Sequence, residues 1–144
     1  MPNEVIAIAC DHGGFEYKEI LKSDLEKMGY EVADLGCYDD SSVDYPDYAN
    51  KLADAIKDGL AERGVLVCGS GIGISIAVNR HLHIRAALVH DALTARLCRE
   101  HNNANVLVLG GRTTGIAVAQ DCLKVFLETE FEGDRHQRRI DKIS

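Results

Sequence analysis

Residues 65–75 read Val65-Leu66-Val67-Cys68-Gly69-Ser70-Gly71-Ile72-Gly73-Ile74-Ser75. A short apolar run ends on a cysteine, glycines alternate through positions 69, 71 and 73, and a helix-compatible stretch continues through Ile76, Ala77 and Val78. A buried strand turning directly into a helix is the unit of an open α/β sheet, in which ligands bind beyond the carboxyl ends of the strands. Helix N-termini on that rim offer unpaired amides and a favourable dipole to anions. The same field favours the thiolate of a cysteine placed there. The loop is not a Walker A loop, because no Gly-Lys-Ser/Thr follows, and its glycine spacing is not the GxGxxG of dinucleotide-binding folds. A tight turn that needs glycine only for sterics also explains it. Cys68 could likewise be a buried thiol that merely packs, the reading adopted for Cys10, Cys37, Cys98 and Cys122.

Working outward, apolar runs of strand length alternate with segments of helical period. Val5–Cys10 reads as the first strand, followed by the turn Asp11-His12-Gly13-Gly14 and a helix carrying Tyr17, Ile20, Leu21, Leu25 and Met28, ended by Gly29. Glu31–Leu35 reads as the second strand. After a polar loop, Pro46 suits a helix first turn, and Tyr48, Leu52, Ile56 and Leu60 mark one face of a helix closed by Gly64. Val65–Cys68 is the third strand and Ile84–Val89 the fourth. Asp91 is placed to cap a helix bearing Leu93 and Leu97. Asn105–Leu109 is the fifth strand, and Thr113 or Thr114 caps a last long helix with Ile116, Ala119, Leu123, Phe126 and Leu127 inward. The alternation predicts parallel βαβ units in one domain, 1–144, a doubly wound, Rossmann-like, three-layer α/β fold.

Composition narrows the function. The chain has 144 residues, enough to bury a substantial core, and no apolar run approaches a membrane span. Sixteen Lys+Arg against 23 Asp+Glu give a net charge of -7, a poor match to nucleic acid. Met1-Pro2-Asn3-Glu4 lacks the basic region of a secretory signal, and five cysteines without a CxxC pair fit reduced thiols, so a cytoplasmic protein is expected. Arg135, His136, Arg138, Arg139 and Lys142 nevertheless concentrate positive charge near the C-terminus, where Arg135 and Arg139 share a face if helical. Two guanidinium groups so placed suit a phosphate, though a solvated basic tail is the plainer reading. His81 and His83 have no third and fourth ligand at a recognisable spacing, so no metal site and no cofactor are expected.

Asp11-His12 occupies the turn after the first strand, on the same rim as Cys68, where a solvated turn capped by Asp11 is the plainer alternative. His101-Asn102 follows a helix and precedes a strand, which places it on the opposite rim. Sequence order alone therefore does not bring His101 to Cys68.

Taken together, Cys10-Asp11-His12-Gly13-Gly14, Asp44-Tyr45-Pro46, Cys68 to Ala77, Arg99-Glu100-His101-Asn102, Asn105-Val106-Leu107, Gly111-Arg112 and Gly133-x-Arg135-His136-Gln137-x-Arg139 resemble the type B ribose-5-phosphate isomerase family, which also includes galactose-6-phosphate and allose-6-phosphate isomerases. The resemblance is colinear over nearly the whole chain. It implies a five-stranded parallel sheet of order 2-1-3-4-5 and a homodimer, able to pair into tetramers, with sites between subunits and the segment 133–144 reaching the partner. It implies a metal-independent interconversion of ribose 5-phosphate and ribulose 5-phosphate, with Cys68 as base. Ser70 and the amides from Gly69 through Gly71 to Gly73 would hold the enediolate oxygens, and His101 with Asp11 would open the sugar ring. Tyr45 and Asn102 would orient the sugar, while His12, Arg112, Arg135 and Arg139 would bind phosphate. Asn103 stands where relatives often carry aspartate, and Ser70 where threonine is also common. A six-carbon sugar phosphate as substrate, a non-catalytic sugar-phosphate sensor and a scaffold without a small ligand are the alternatives.

Overall fold

The computed structural model describes residues 4–143, so the reading of Met1, Pro2 and Asn3 lies outside the described residues. The elements run β1 (Val5–Cys10), α1 (Phe15–Lys27), β2 (Glu31–Asp34), α2 (Tyr45–Lys57), β3 (Arg63–Cys68), α3 (Ile72–Val78), β4 (Ala86–Leu88), α4 (Ala92–Glu100), β5 (Val106–Gly110), α5 (Ile116–Glu128) and α6 (Arg135–Asp141). All strand pairings are parallel. Alternate side chains of the central strands face opposite helix layers. Ile6, Ile8, Val65, Val67, Leu107 and Leu109 pack with residues of α1, α4 and α5, while Ala7, Ala9, Leu66, Cys68, Val106 and Val108 pack with residues of α2 and α3. The three-layer, doubly wound α/β architecture is therefore as the sequence predicts.

The strand order corrects the expected 2-1-3-4-5. The sheet runs β2-β1-β3-β5-β4, with β5 beside β3 and β4 at the edge. Burial explains the exchange. Val106–Gly110 is buried throughout and can occupy an interior position covered on both faces, whereas the three residues of β4 are only half-buried. A short strand is also a safer edge.

Local chemistry sets the boundaries. Asp91 caps α4 as expected, its Oδ1 accepting the Thr94 N–H at 2.7 Å. Gly59, with φ +83°, follows the end of α2 in a left-handed conformation, whereas the expected terminator Gly64 lies inside β3, where an added Cβ would come 2.8 Å from Leu52. The residue before α5 is Gly115, without a side-chain cap, so neither Thr113 nor Thr114 performs the expected role. Leu60 lies past α2 and is exposed. Among the described residues no helix is long and apolar enough to cross a membrane.

Candidate active site

Three turns at the carboxyl rim interlock through main-chain bonds. The Asp11 N–H donates to Val67 O at 3.2 Å, Gly111 N–H to Cys68 O at 2.8 Å, and Arg112 N–H to Gly69 O at 2.8 Å. The approach is close enough to demand glycine. A Cβ on Gly111 would lie 2.6 Å from Gly13 O, and one on Gly14 2.3 Å from Val67 O. The turns after β1, β3 and β5 thus form one surface carrying Asp11, His12, Cys68, Ser70 and Arg112.

Cys68 ends β3 on the α2–α3 side. Its Sγ accepts the Gly71 N–H at 3.2 Å, and Gly71 has φ +80° with an added Cβ 2.4 Å from Leu88. Glycine is required there on both counts. Two expectations need correction. A cysteine that ends a strand beside an anion-binding turn is expected to be accessible, but Cys68 is 4% exposed, because Ala9, Leu66, Ile74 and Val108 pack in the same cluster. Nor are all amides from Gly69 to Gly73 free for a ligand: that of Gly71 is directed to sulfur, and that of Ile72 donates to Ser70 Oγ at 3.1 Å. The Ser70 hydroxyl hydrogen takes no part in that bond and remains a donor.

Tyr45 opens α2 and lies over the start of α3, its Cζ 2.5 Å from where a Gly73 Cβ would be. His12 Nδ1 accepts the Val43 N–H at 3.1 Å, which leaves Nε2 to carry the proton of a neutral ring. Asp11, His12, Val43 and Tyr45 line an open cleft of about 490 Å³. His12 also borders a second cleft of about 330 Å³ with Gly13, Asp40 and Arg112. Arg112 extends over Gly69, 3.3 Å from the Cβ position there. Val43 as the group that orients His12 has no signal in sequence, since any residue supplies a backbone amide. Asp11 Oδ1 accepts the Gly13 N–H at 2.9 Å, so the capping role coexists with the candidate catalytic one.

His101, Asn102, Arg135 and Arg139 are elsewhere. His101 is the C-cap of α4, and Asn102 borders a groove with Asn79, Arg85 and Ile143 at the amino rim. Helix α6 packs beside them: the Glu132 N–H donates to Glu100 O, and the His101 and His136 rings stack with centroids 4.4 Å apart. Arg135 and Arg139 are exposed on this helix, as their spacing predicts. Within one chain, therefore, His101 is not paired with Asp11. The C-terminal segment is described to residue 143.

Cys10, Cys37, Cys98 and Cys122 are buried and free, as the packing role requires. Burial pushes the thiols of Cys98 and Cys122 up to about 11 and raises that of Cys10 further, with its neighbour Cys37 adding to the effect. His81 and His83 do not converge on an ion: His81 Nε2 pairs with Asn50 Oδ1 and His83 Nε2 with Ala53 O, each at 2.8 Å. His101, Glu132 and His136 do converge, their ligand atoms within 4.8 Å of one another. In the sequence His136 stands in the basic cluster and in the motif Gly133-x-Arg135-His136-Gln137-x-Arg139, whereas Glu132 belongs to no motif.

Comparison with known proteins shows the family and the fold. The family model described as Ribose/Galactose Isomerase matches residues 6–143. Ribose-5-phosphate isomerase B of Escherichia coli K12 is 40% identical over 139 residues, covering 96% of this chain and 93% of that protein. The crystal structure of a ribose 5-phosphate isomerase from Thermotoga maritima superposes with a TM-score of 0.95 at 52% identity, covering 97% of each chain. That of ribose-5-phosphate isomerase B from Mycoplasma genitalium, with bound ribulose-5-phosphate, gives 0.94 at 42% identity, covering 99% of this chain and 95% of that one.

Proposed function

The chain belongs to the ribose/galactose isomerase family, and on that premise we propose that it interconverts ribose 5-phosphate and ribulose 5-phosphate through an enediolate. The observation that carries this reading is the Cys68 sulfur, held at the end of β3 beneath the Gly71 N–H at 3.2 Å. Aldose–ketose exchange requires a base at carbon and donors for the oxygen that gains charge. Cys68 as thiolate removes the hydrogen from C2 of the open-chain aldose, and the electron pair moves through the new C1–C2 double bond onto the carbonyl oxygen at C1. The same thiol returns the proton to C1, while the C2 hydroxyl proton passes to the C1 oxygen and the C2 oxygen becomes the ketone. The donated Gly71 N–H stabilises the thiolate before the first transfer and after the second, and the Ser70 hydroxyl donates to the oxyanion that exists between them. Substrate needs to present only one C–H bond to so covered a sulfur.

His12 and Arg112, which already border one cleft, receive the phosphate, and its binding energy helps orient the reacting carbons. Tyr45 orients the sugar. Ring opening by His101 with Asp11 requires a second copy, whose amino rim supplies His101, Asn102, Arg135 and Arg139 to this carboxyl rim. Exposed Ile72 and Ile76, four apart on α3 beside the glycine loop, offer an apolar surface for that copy. The reading is thus a homodimer with two composite sites. The free thiols suit the reducing cytoplasm.

The test is exchange of the C2 hydrogen of ribose 5-phosphate with solvent D₂O, measured beside ketose formation. Wild type shows both and Cys68→Ala neither, with substrate still bound. Turnover retained by Cys68→Ala removes the thiol as base, and the absence of both reactions in wild type removes the isomerase reading.

A further inference from the structure

His136 Nε2 is a buried side-chain nitrogen without a hydrogen-bond partner among the described residues, on a side chain only 8% exposed. Burying such an atom unpaired carries a free-energy cost, which makes its surroundings informative. Glu132 Oε1 lies 3.3 Å away, yet the contact lacks hydrogen-bond alignment. His101, half-buried at the C-terminus of α4, completes a group of three donors.

We propose that His101, Glu132 and His136 bind a divalent cation of the zinc class, and that filling this site suppresses isomerisation by withdrawing His101. The second half of the proposal rests on the function proposed above. Two imidazole nitrogens and one carboxylate oxygen are a zinc donor set, with a fourth position open to water, whereas calcium and magnesium prefer oxygen throughout. Donors bonded tetrahedrally at zinc distances lie about 3.3 Å apart. The His136–Glu132 pair already has that separation. The imidazoles are 18° from parallel, so the His101 ring turns about its soft terminal torsion to aim its lone pair at the shared ion. The negative end of α4, which terminates at His101, also favours a cation there. Neither His136 nor Glu132 is needed by the catalytic assignment, which leaves their convergence on His101 otherwise unused.

Full-length protein freed of metal with a chelator is titrated with Zn²⁺ by calorimetry and with Co²⁺ by visible absorption, beside Glu132→Gln and Cys68→Ala. Glu132 is nearly half exposed, so the isosteric amide should fold normally. The expected result is one ion per chain, a Co²⁺ spectrum without a thiolate charge-transfer band, affinity at least about tenfold weaker in Glu132→Gln, and no change in Cys68→Ala. Bound Zn²⁺ lowers wild-type turnover about tenfold or more, and the same concentration spares Glu132→Gln, whose metal-free activity equals wild type. Equal affinity in Glu132→Gln, dependence on Cys68, or full turnover with the site filled overturns the proposal. Metal binding in the expected pattern, with no isomerase activity in any metal-free sample, overturns the functional reading and leaves the binding site standing.

Discussion

At the carboxyl rim, Asp11, Cys68, Ser70 and Arg112 sit on turns joined by main-chain bonds and glycine contacts between three adjacent strands. At the amino rim, His101, His136 and the arginines of α6 depend on a helix end, a ring stack and a seven-residue helix that buries only His136 and Ile140. The first arrangement fixes positions by backbone geometry; the second leaves its groups on side chains that can turn. The difference suits the chemistry proposed. Proton transfer at carbon needs a base placed within tenths of an ångström, while phosphate capture and ring opening, begun by His12, Arg112 and Asp11 on the carboxyl rim, tolerate further groups that arrive from another subunit.

The largest expected effect tests whether the two rims meet across subunits. Cys68→Ala and His101→Ala homodimers should each lose about 10²- to 10⁴-fold in turnover on ribofuranose 5-phosphate. Co-refolded in equal amounts, they should recover roughly a quarter of wild-type activity, because half the dimers are mixed and each holds one intact site. No recovery would place both residues in sites of a single chain and break the comparison.

Lys18→Met probes what supports the carboxyl rim. Lys18 Nζ is fully buried, donating to Asp34 Oδ1 and to Cys37 O at 2.7 Å, beneath the loop that orients His12. Removing the ammonium leaves Asp34 short of its main partner, and urea denaturation should show a loss of about 3–5 kcal/mol. The pair also predicts acid sensitivity. Burial alone would raise the Asp34 carboxyl, but hydrogen bonds from Lys18 and the Gly36 N–H hold it below its ordinary value of 3.8. Its contribution to stability is complete above that value and is lost as pH falls through the lower folded one. Wild type should therefore lose stability in that acid window, and Lys18→Met should lose less of it.

Gly71→Ala should cost about 1–3 kcal/mol by the same measurement, since φ of +80° and the contact with Leu88 both oppose a Cβ. A variant as stable as wild type would show that the loop is less confined than its contacts imply. The smallest change is Asp91→Ala, which removes the cap of the helix that carries His101 at its other end. Stability should drop about 1 kcal/mol at fixed protein concentration, with activity per folded molecule unchanged.

Much of the carboxyl rim is legible in the chain because parallel βαβ order alone places Asp11, His12, Cys68, Ser70 and Arg112 on one edge. The Asp91 cap and the helical spacing of Arg135 and Arg139 are equally local. The exchange of β4 and β5 was not legible from order, because hydrophobic runs report how deeply a strand is buried and not which strand lies beside it. Here composition does hint at the answer: Val106–Gly110 is apolar throughout, whereas the fourth run, Ile84–Val89, contains Arg85 and is followed by His90. Glu132 and His136 are four apart and so locally placed, but their meeting with His101 had no signal, since residues more than thirty apart meet only through the return of α6 onto α4.

The amino-acid sequence by itself determined the alternation of elements, the parallel sheet and the edge on which a thiol and a glycine turn would meet, because those follow from side-chain period and right-handed crossover. Only the tertiary structure decided that Cys68 is covered, that the Gly71 N–H is directed to its sulfur, and that His101 stacks on His136 at the far rim. Those outcomes depend on which surfaces pack in three dimensions, and no local propensity encodes that.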